Sequence, residues 1–95
     1  MNRVEKLRYI ANHYGVIPQV QKTIEELNEL SLELVKILTK VGDKEAIIDE
    51  IADVNIMVEQ LKILYDISPI EVSDRIDFKL NRQLERIGYK ENDNG

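Results

Sequence analysis

Apolar residues recur at spacings of three and four along most of the chain, which is the period of an amphipathic helix. The clearest stretch contains Val20, Ile24, Leu27, Leu34, Leu38 and Val41. Two further stretches follow, with Ile47, Ile51, Val54, Val58, Leu61 and Tyr65 in one and Ile76, Leu80, Leu84 and Ile87 in the other. The pattern predicts an all-α fold.

Glycine, proline and capping residues divide this pattern into four predicted helices. Gly15 and Gly42 fit the C′ position, which closes a helix in the left-handed conformation. Pro18 fits the first turn of the second helix, and Asp43 fits the N-cap of the third. The predicted helices run from Arg3 to Tyr14, from Pro18 to about Lys40, from Asp43 to about Asp66 and from Ser68 to about Gly88.

The strongest boundary is the segment Ser68-Pro69-Ile70-Glu71. Ser68 and Glu71 have the spacing of a capping box, and Pro69 suits the first helical position. The second and third helices are long and have a short connection, so we expect them to form an antiparallel hairpin. The expected architecture is all-α, with four helices and a central antiparallel hairpin that completes a helix bundle in a homo-oligomer.

The length of 95 residues predicts a single domain, 1–95, whose end, about residues 90–95, lacks apolar residues and is expected to be disordered. A domain of this size is marginal alone because it buries a modest share of its surface. Three helices with long apolar faces present more apolar surface than one hairpin can cover. We therefore expect a homodimer or a homotetramer.

The net charge of −5 and the isoelectric point of about 4.9 disfavour a nucleic-acid partner, because non-specific nucleic-acid binders are usually basic. The absence of cysteine excludes disulfides and Cys-ligated zinc. No apolar run approaches the roughly 20 residues of a membrane span, and the N-terminus has no apolar signal core. The expectation is a cytoplasmic protein without a membrane partner.

Paired carboxylates occur on both helices of the predicted hairpin. Glu26 and Glu29 share one face of the second helix, and Glu50 and Asp53 share one face of the third. A solvated face is the usual explanation of such pairs, but Glu50 lies on the apolar stripe of its own helix. Buried, clustered carboxylates are unfavourable unless they are partnered, and a hard divalent cation with oxygen ligands satisfies them. A metal site is favoured over a purely structural network.

The sequence resembles a known family through these residues. The segment Glu25-Glu26-Leu27-Asn28-Glu29, a gap of 20 residues and then Glu50-Ile51-Ala52-Asp53 look like the E-E-x-x-E and E-x-x-D motifs of MazG-like nucleoside triphosphate pyrophosphohydrolases. The resemblance implies Mg²⁺, or Mn²⁺ as a substitute. The implied metal ligands are Glu26, Glu29, Glu50 and Asp53.

Basic residues form a stripe on the fourth predicted helix, namely Arg75, Lys79, Arg82 and Arg86. The stripe is either a solvated surface or a clamp for phosphate, and the negative charge of a carboxylate site that faces a triphosphate favours the clamp. Members of the family often carry a K-x-x-R-R run here. Lys79 and Arg82 match it, whereas Gln83 replaces the second arginine. Lys22 lies where similar proteins often have lysine, and it is also spaced to pair with Glu26.

The resulting hypothesis is hydrolysis of a nucleoside triphosphate between its α and β phosphates, which gives a nucleoside monophosphate and pyrophosphate. Glu25 is a candidate for the general base that accepts a proton from water. Base recognition must draw on Asn55 or on the few aromatic residues, Tyr9, Tyr14, Tyr65, Phe78 and Tyr89. The alternatives are a non-catalytic helical adaptor or regulatory oligomer with a structural metal site, and a plain bundle without a ligand.

Overall fold

The computed structural model describes residues 1–90, which form four helices and no strand. The helices are α1 (Arg3–Tyr14), α2 (Val16–Leu38), α3 (Lys44–Leu64) and α4 (Pro69–Arg86). The predicted all-α class and the number of helices are confirmed. The tail predicted to be disordered, about residues 90–95, falls almost wholly on residues 91–95, which lie outside the described part of the chain.

Side-chain caps fix where three of the helices begin. The Asn2 side chain accepts a hydrogen bond from the Glu5 amide at 2.8 Å, and Asp43 accepts one from the Glu45 amide at 3.0 Å. Ser68 and Glu71 form the predicted capping box, with reciprocal hydrogen bonds of 3.1 and 2.7 Å. The interactions that cap these helices are therefore local in sequence.

The turn after α2 differs from the prediction. The helix ends at Leu38, and Lys40, not Gly42, takes the left-handed conformation, with φ of 63°. The Lys40 and Val41 amides donate to the carbonyls of Ile37 and Lys36, each at 3.0 Å, which is the hydrogen-bond pattern of a Schellman motif. Gly42 is needed for another reason, because a Cβ there would collide with the backbone and side chain of Ile37.

The first three helices pack together, with α2 against α3 and α1 against both, whereas α4 makes little contact with them. The seam between them is unusually polar. Its most buried side chains within residues 1–90 are Ala11, Gln19, Thr23, Glu26, Met57 and Gln60. Only two of these, Ala11 and Met57, are apolar, so the interior of the single chain is small.

Most large apolar side chains lie on the outer faces of the helices. The exposed set includes Ile24, Leu27, Leu34, Ile51, Ile76, Leu80 and Leu84. The radius of gyration is 17.3 Å, whereas a compact chain of this length has about 12 Å. The single chain is therefore extended and leaves its apolar stripes uncovered.

Candidate metal centre

Three acidic side chains converge where α2 lies against α3. Glu26, Glu29 and Glu50 each offer a carboxylate oxygen, and these oxygens all lie within 4.8 Å of one another. We call these three residues the acidic cluster. The i, i+3 spacing puts Glu26 and Glu29 on one face of α2, and the packing of α3 brings Glu50 against that face.

Two oxygens of the acidic cluster are buried without a partner. Glu26 is only 6% exposed, and its Oε1 lies 3.1 Å from Lys22 Nζ. Glu26 Oε2 and Glu50 Oε2 are both buried, and neither has a hydrogen-bond partner among the described residues. A buried polar atom without a partner is unfavourable by about 1–3 kcal/mol, and more when it is charged. The arrangement is thus incomplete as a purely structural network.

The electrostatics of the site raise the pKa values of Glu29 and Glu50. The negative charge of Glu26 raises the pKa of Glu29, and partial burial adds to this effect. Burial raises the pKa of Glu50, and the charge of Glu29 raises it further. Burial and mutual repulsion therefore both disfavour the charged carboxylates, and a bound divalent cation would relieve both.

Asp53 lies beside the acidic cluster but outside the group of three converging oxygens. Burial and then the charge of Glu26 raise the pKa of the Asp53 carboxyl, so the two side chains are electrostatic neighbours. Asp53 and Glu26 also line one wall of the same cavity. The structure therefore brings three of the four predicted ligands together and places the fourth next to them.

Within residues 1–90, Lys22 is the only basic side chain that forms an ion pair with a member of the acidic cluster. Its Nζ lies 3.1 Å from Glu26 and 3.6 Å from Glu25, and the hydrogen bond to Glu26 raises the pKa of Lys22. Glu25 is half exposed and shares this lysine. Both residues therefore lie at the edge of the site.

The predicted phosphate ligands Lys79 and Arg82 lie on α4, away from this arrangement. Neither forms an ion pair with a carboxylate in the described residues. The Arg82 guanidinium instead lies 5.9 Å from the centre of the Phe78 ring. Because α4 packs little against α2 and α3, the single chain does not bring these two cations to the acidic cluster.

A cavity of about 450 Å³ opens next to the acidic cluster between all three packed helices. Its lining residues are Ile10, Tyr14, Pro18, Gln19, Lys22, Glu26, Asp53, Ile56, Met57 and Gln60. This volume is within the range of small-molecule sites, which is about 300–1,000 Å³. Sequence reasoning missed Gln19 and Gln60, although each lies seven positions, about two helical turns, from Glu26 or Asp53 on the same face.

Comparisons of the chain with family models, curated proteins and solved structures give no match. No helix within residues 1–90 is both long and apolar enough to cross a membrane. The case for a function therefore depends on the geometry of the acidic cluster and the cavity beside it.

Proposed function

We propose that this protein is a Mg²⁺-dependent nucleoside triphosphate pyrophosphohydrolase that releases pyrophosphate and a nucleoside monophosphate. The observation that carries the proposal is the pair of buried, unpartnered oxygens, Glu26 Oε2 and Glu50 Oε2. They belong to converging carboxylates, and Glu26 also lines a cavity large enough for a nucleoside. The E-E-x-x-E and E-x-x-D motifs, which resemble those of MazG-like enzymes, support the same reaction.

The ligand set fits Mg²⁺, which prefers carboxylate oxygens and substrate phosphates, and Mn²⁺ is a natural substitute. Glu26, Glu29, Glu50 and Asp53 would hold the ion. When bound, Mg²⁺ supplies positive charge to the phosphate oxygens as the bond between the phosphates breaks. The carboxylates of α2 and α3 fix the position of that charge, because both helices are held by their mutual packing.

Glu25 and Lys22 have separate roles in this proposal. Water adds to phosphorus, the bond to the bridging oxygen between the α and β phosphates breaks, and pyrophosphate leaves with the bonding electrons. The exposed Glu25 carboxylate accepts the proton of the attacking water. Lys22 donates hydrogen bonds to the phosphate next to the nucleoside, since its Nζ lies at the edge of the acidic cluster and its side chain lines the cavity.

A second copy of the chain would complete the site. In this proposal α2 and α3 form an antiparallel hairpin. The start of α2 meets the end of α3 at the Gln19–Gln60 hydrogen bond, and further along α2 Glu29 lies near Glu50, which comes earlier in α3; this order supports antiparallel packing. The uncovered apolar faces of the hairpin and of α4 would pack in a homodimer or homotetramer. The partner's α4 would then supply Lys79 and Arg82 to the phosphates, where added positive charge is needed.

The direct test is a pyrophosphate-release assay over the common and the damaged nucleoside triphosphates, with Mg²⁺ and with an EDTA control. We expect turnover that requires the metal and that disappears in the variant Glu50→Gln. The control variant Glu59→Gln makes the same change on the same helix, at a carboxylate that pairs with Lys62. Absence of turnover on every triphosphate would remove the enzyme proposal.

One observation favours the alternative of a non-catalytic oligomeric adaptor, namely the exposed apolar face of α4. An adaptor uses such a face for a partner and keeps the metal as a structural element. The two functions differ in one result: the adaptor binds Mg²⁺ at the acidic cluster without releasing pyrophosphate from any triphosphate.

A further inference from the structure

The cavity has a polar end that the proposed chemistry does not use. Gln19 and Gln60 are 4% and 1% exposed, and the Gln19 Nε2 group donates a hydrogen bond to Gln60 Oε1. Gln60 Nε2 is also buried, and it has no partner among the described residues. Both residues line the cavity, so a bound molecule can supply the acceptor that this amide lacks.

The remaining walls of the cavity suit a flat ring. Ile10, Tyr14, Ile56 and Met57 line it, and they give a largely apolar surface with one aromatic side chain. Flat heteroaromatic rings stack on such surfaces with little dependence on their exact identity. Glu26 and Asp53 line the other end, each seven positions, about 10 Å, along its helix from Gln19 or Gln60. A nucleoside can therefore lie with its base against Gln60 and its phosphates towards the acidic cluster.

We propose that the Gln19–Gln60 pair selects nucleobases with a keto oxygen at pyrimidine C4 or purine C6, namely uracil, thymine, guanine and hypoxanthine, over cytosine and adenine, which carry an amino group at that position. The inference rests on the proposed function, because that function identifies the occupant as a nucleotide. Gln60 Oε1 is already engaged by Gln19, so Gln60 presents only N–H donors to the ligand. Uracil, thymine and guanine place a carbonyl acceptor where cytosine and adenine place an amino donor. An amino group at this position would meet the amide donor and leave both groups unpaired.

The test uses nucleosides, which contain no phosphate and need no metal. Uridine is compared with cytidine, and inosine with adenosine, by titration of ¹⁵N-labelled protein in EDTA. We expect the keto nucleosides to bind about tenfold more tightly and to shift the Gln60 side-chain amide resonance. Equal affinities within each pair, or no binding of any nucleoside, overturn the inference.

Two variants test whether Gln60 supplies the recognition. Gln60→Met removes the donor and should bring the affinity ratio within each pair close to one. Gln21→Met makes the same exchange at an exposed glutamine of α2 outside the cavity and should retain the ratio. If Gln60→Met does not fold because Gln19 loses its acceptor, the double variant Gln19→Met/Gln60→Met removes both polar partners and serves in its place. Persistence of the tenfold ratio in Gln60→Met, or in the double variant, overturns the assignment to Gln60.

The same proteins are assayed for pyrophosphate release with matched pairs of triphosphates. Turnover without a keto preference refutes this inference and leaves the proposed function standing. A keto preference in nucleoside binding without turnover on any triphosphate refutes the proposed function and leaves the base preference standing. The two proposals therefore fail in distinguishable ways.

Discussion

Glu26 on α2 and Glu50 on α3 offer carboxylate oxygens within 4.8 Å of each other, and each keeps its Oε2 buried and unpartnered within the described chain. Like charges so placed oppose the packing of the two helices. The same relationship becomes favourable when a divalent cation lies between the oxygens. The contact between α2 and α3 should therefore be sensitive to metal, charge and pH.

Divalent metal should stabilise the folded protein. A ligand that binds only the native state adds about 2.7 kcal/mol when its concentration is 100 times the dissociation constant. For a domain of 60–100 residues, each kcal/mol raises the melting temperature by about 4–8 °C. Thermal melts in millimolar Mg²⁺ or Mn²⁺ and in EDTA measure the difference. An unchanged midpoint would show that the acidic cluster does not bind metal.

Glu50→Gln should abolish pyrophosphate release and leave the metal-free fold at least as stable as the wild type. The substitution keeps the shape of the side chain and removes one of the charges that repel in the acidic cluster. Circular-dichroism melts in EDTA and turnover in Mg²⁺ are measured on the same preparations. Glu59→Gln, whose carboxylate pairs with Lys62, should retain turnover.

A purely structural network predicts the opposite result for Glu50→Gln. Removing one member of a paired, buried network leaves its partner unmatched and destabilises the protein. Lower stability of the variant in EDTA would therefore count against the metal site, and wild-type turnover would exclude Glu50 as a ligand of a catalytic metal.

The metal-free protein should lose stability as the pH rises from about 4 towards neutrality. The folded-state pKa values of Glu29, Glu50 and Asp53 are raised above ordinary values of 4.5 for Glu and 3.8 for Asp. The folded state then binds more protons than the unfolded chain, so these groups stabilise it at low pH and lose that contribution as they ionise. Melts of wild type and Glu50→Gln in EDTA should converge at low pH and diverge towards pH 7. Parallel curves would contradict the raised pKa of Glu50.

Two inactive variants should restore activity when they are mixed, if α4 acts on a partner's site. Glu50→Gln damages the acidic cluster, whereas Arg82→Ala damages the basic face of α4. Unfolding and refolding them together yields mixed oligomers in which one site has both intact parts. Light scattering checks the oligomeric state of each sample. A scattering mass of 11.1 kDa at micromolar concentration, or no recovery in the mixture, would contradict assembly of the site from two chains.

Removing a glycine and adding one in the turn between α2 and α3 should change the stability of the protein in opposite directions. Gly42→Ala places a Cβ against Ile37 and should destabilise the protein by about 1–3 kcal/mol. Lys40→Gly relieves the left-handed conformation of a non-glycine residue and should stabilise it by about 1 kcal/mol. Denaturant midpoints measure both changes. Equal effects would show that the turn has another conformation.

The helices could be predicted from the sequence because their signals are local. The Ser68–Glu71 capping box and the Asp43 cap act within a few residues, and both occur as expected. The turn residue could not be assigned in the same way. Glycine is the usual left-handed residue, but Gly42 is required by its approach to Ile37, a contact that spacing alone does not reveal.

The acidic part of the candidate site could be predicted because helical spacing alone places each carboxylate pair on one face of its helix. The i, i+3 pairs identified Glu26, Glu29 and Glu50, which the structure brings together. The Gln19–Gln60 hydrogen bond depends on the register of α2 against α3, and glutamine carries no charge that would mark it in a sequence. How Lys79 and Arg82 relate to the site depends on what covers α4, and the pattern along that helix does not determine it.

The polar seam between the first three helices limits how much the interior of a single chain can contribute to stability. Because Ala11 and Met57 are the only buried apolar residues in the described chain, unfolding a lone chain exposes little apolar interior. Covering the outer stripes by association would then link folding to chain concentration by mass action. The melting temperature would rise with protein concentration, and a substitution at Leu34 or Leu80 would act on subunit dissociation as much as on the fold.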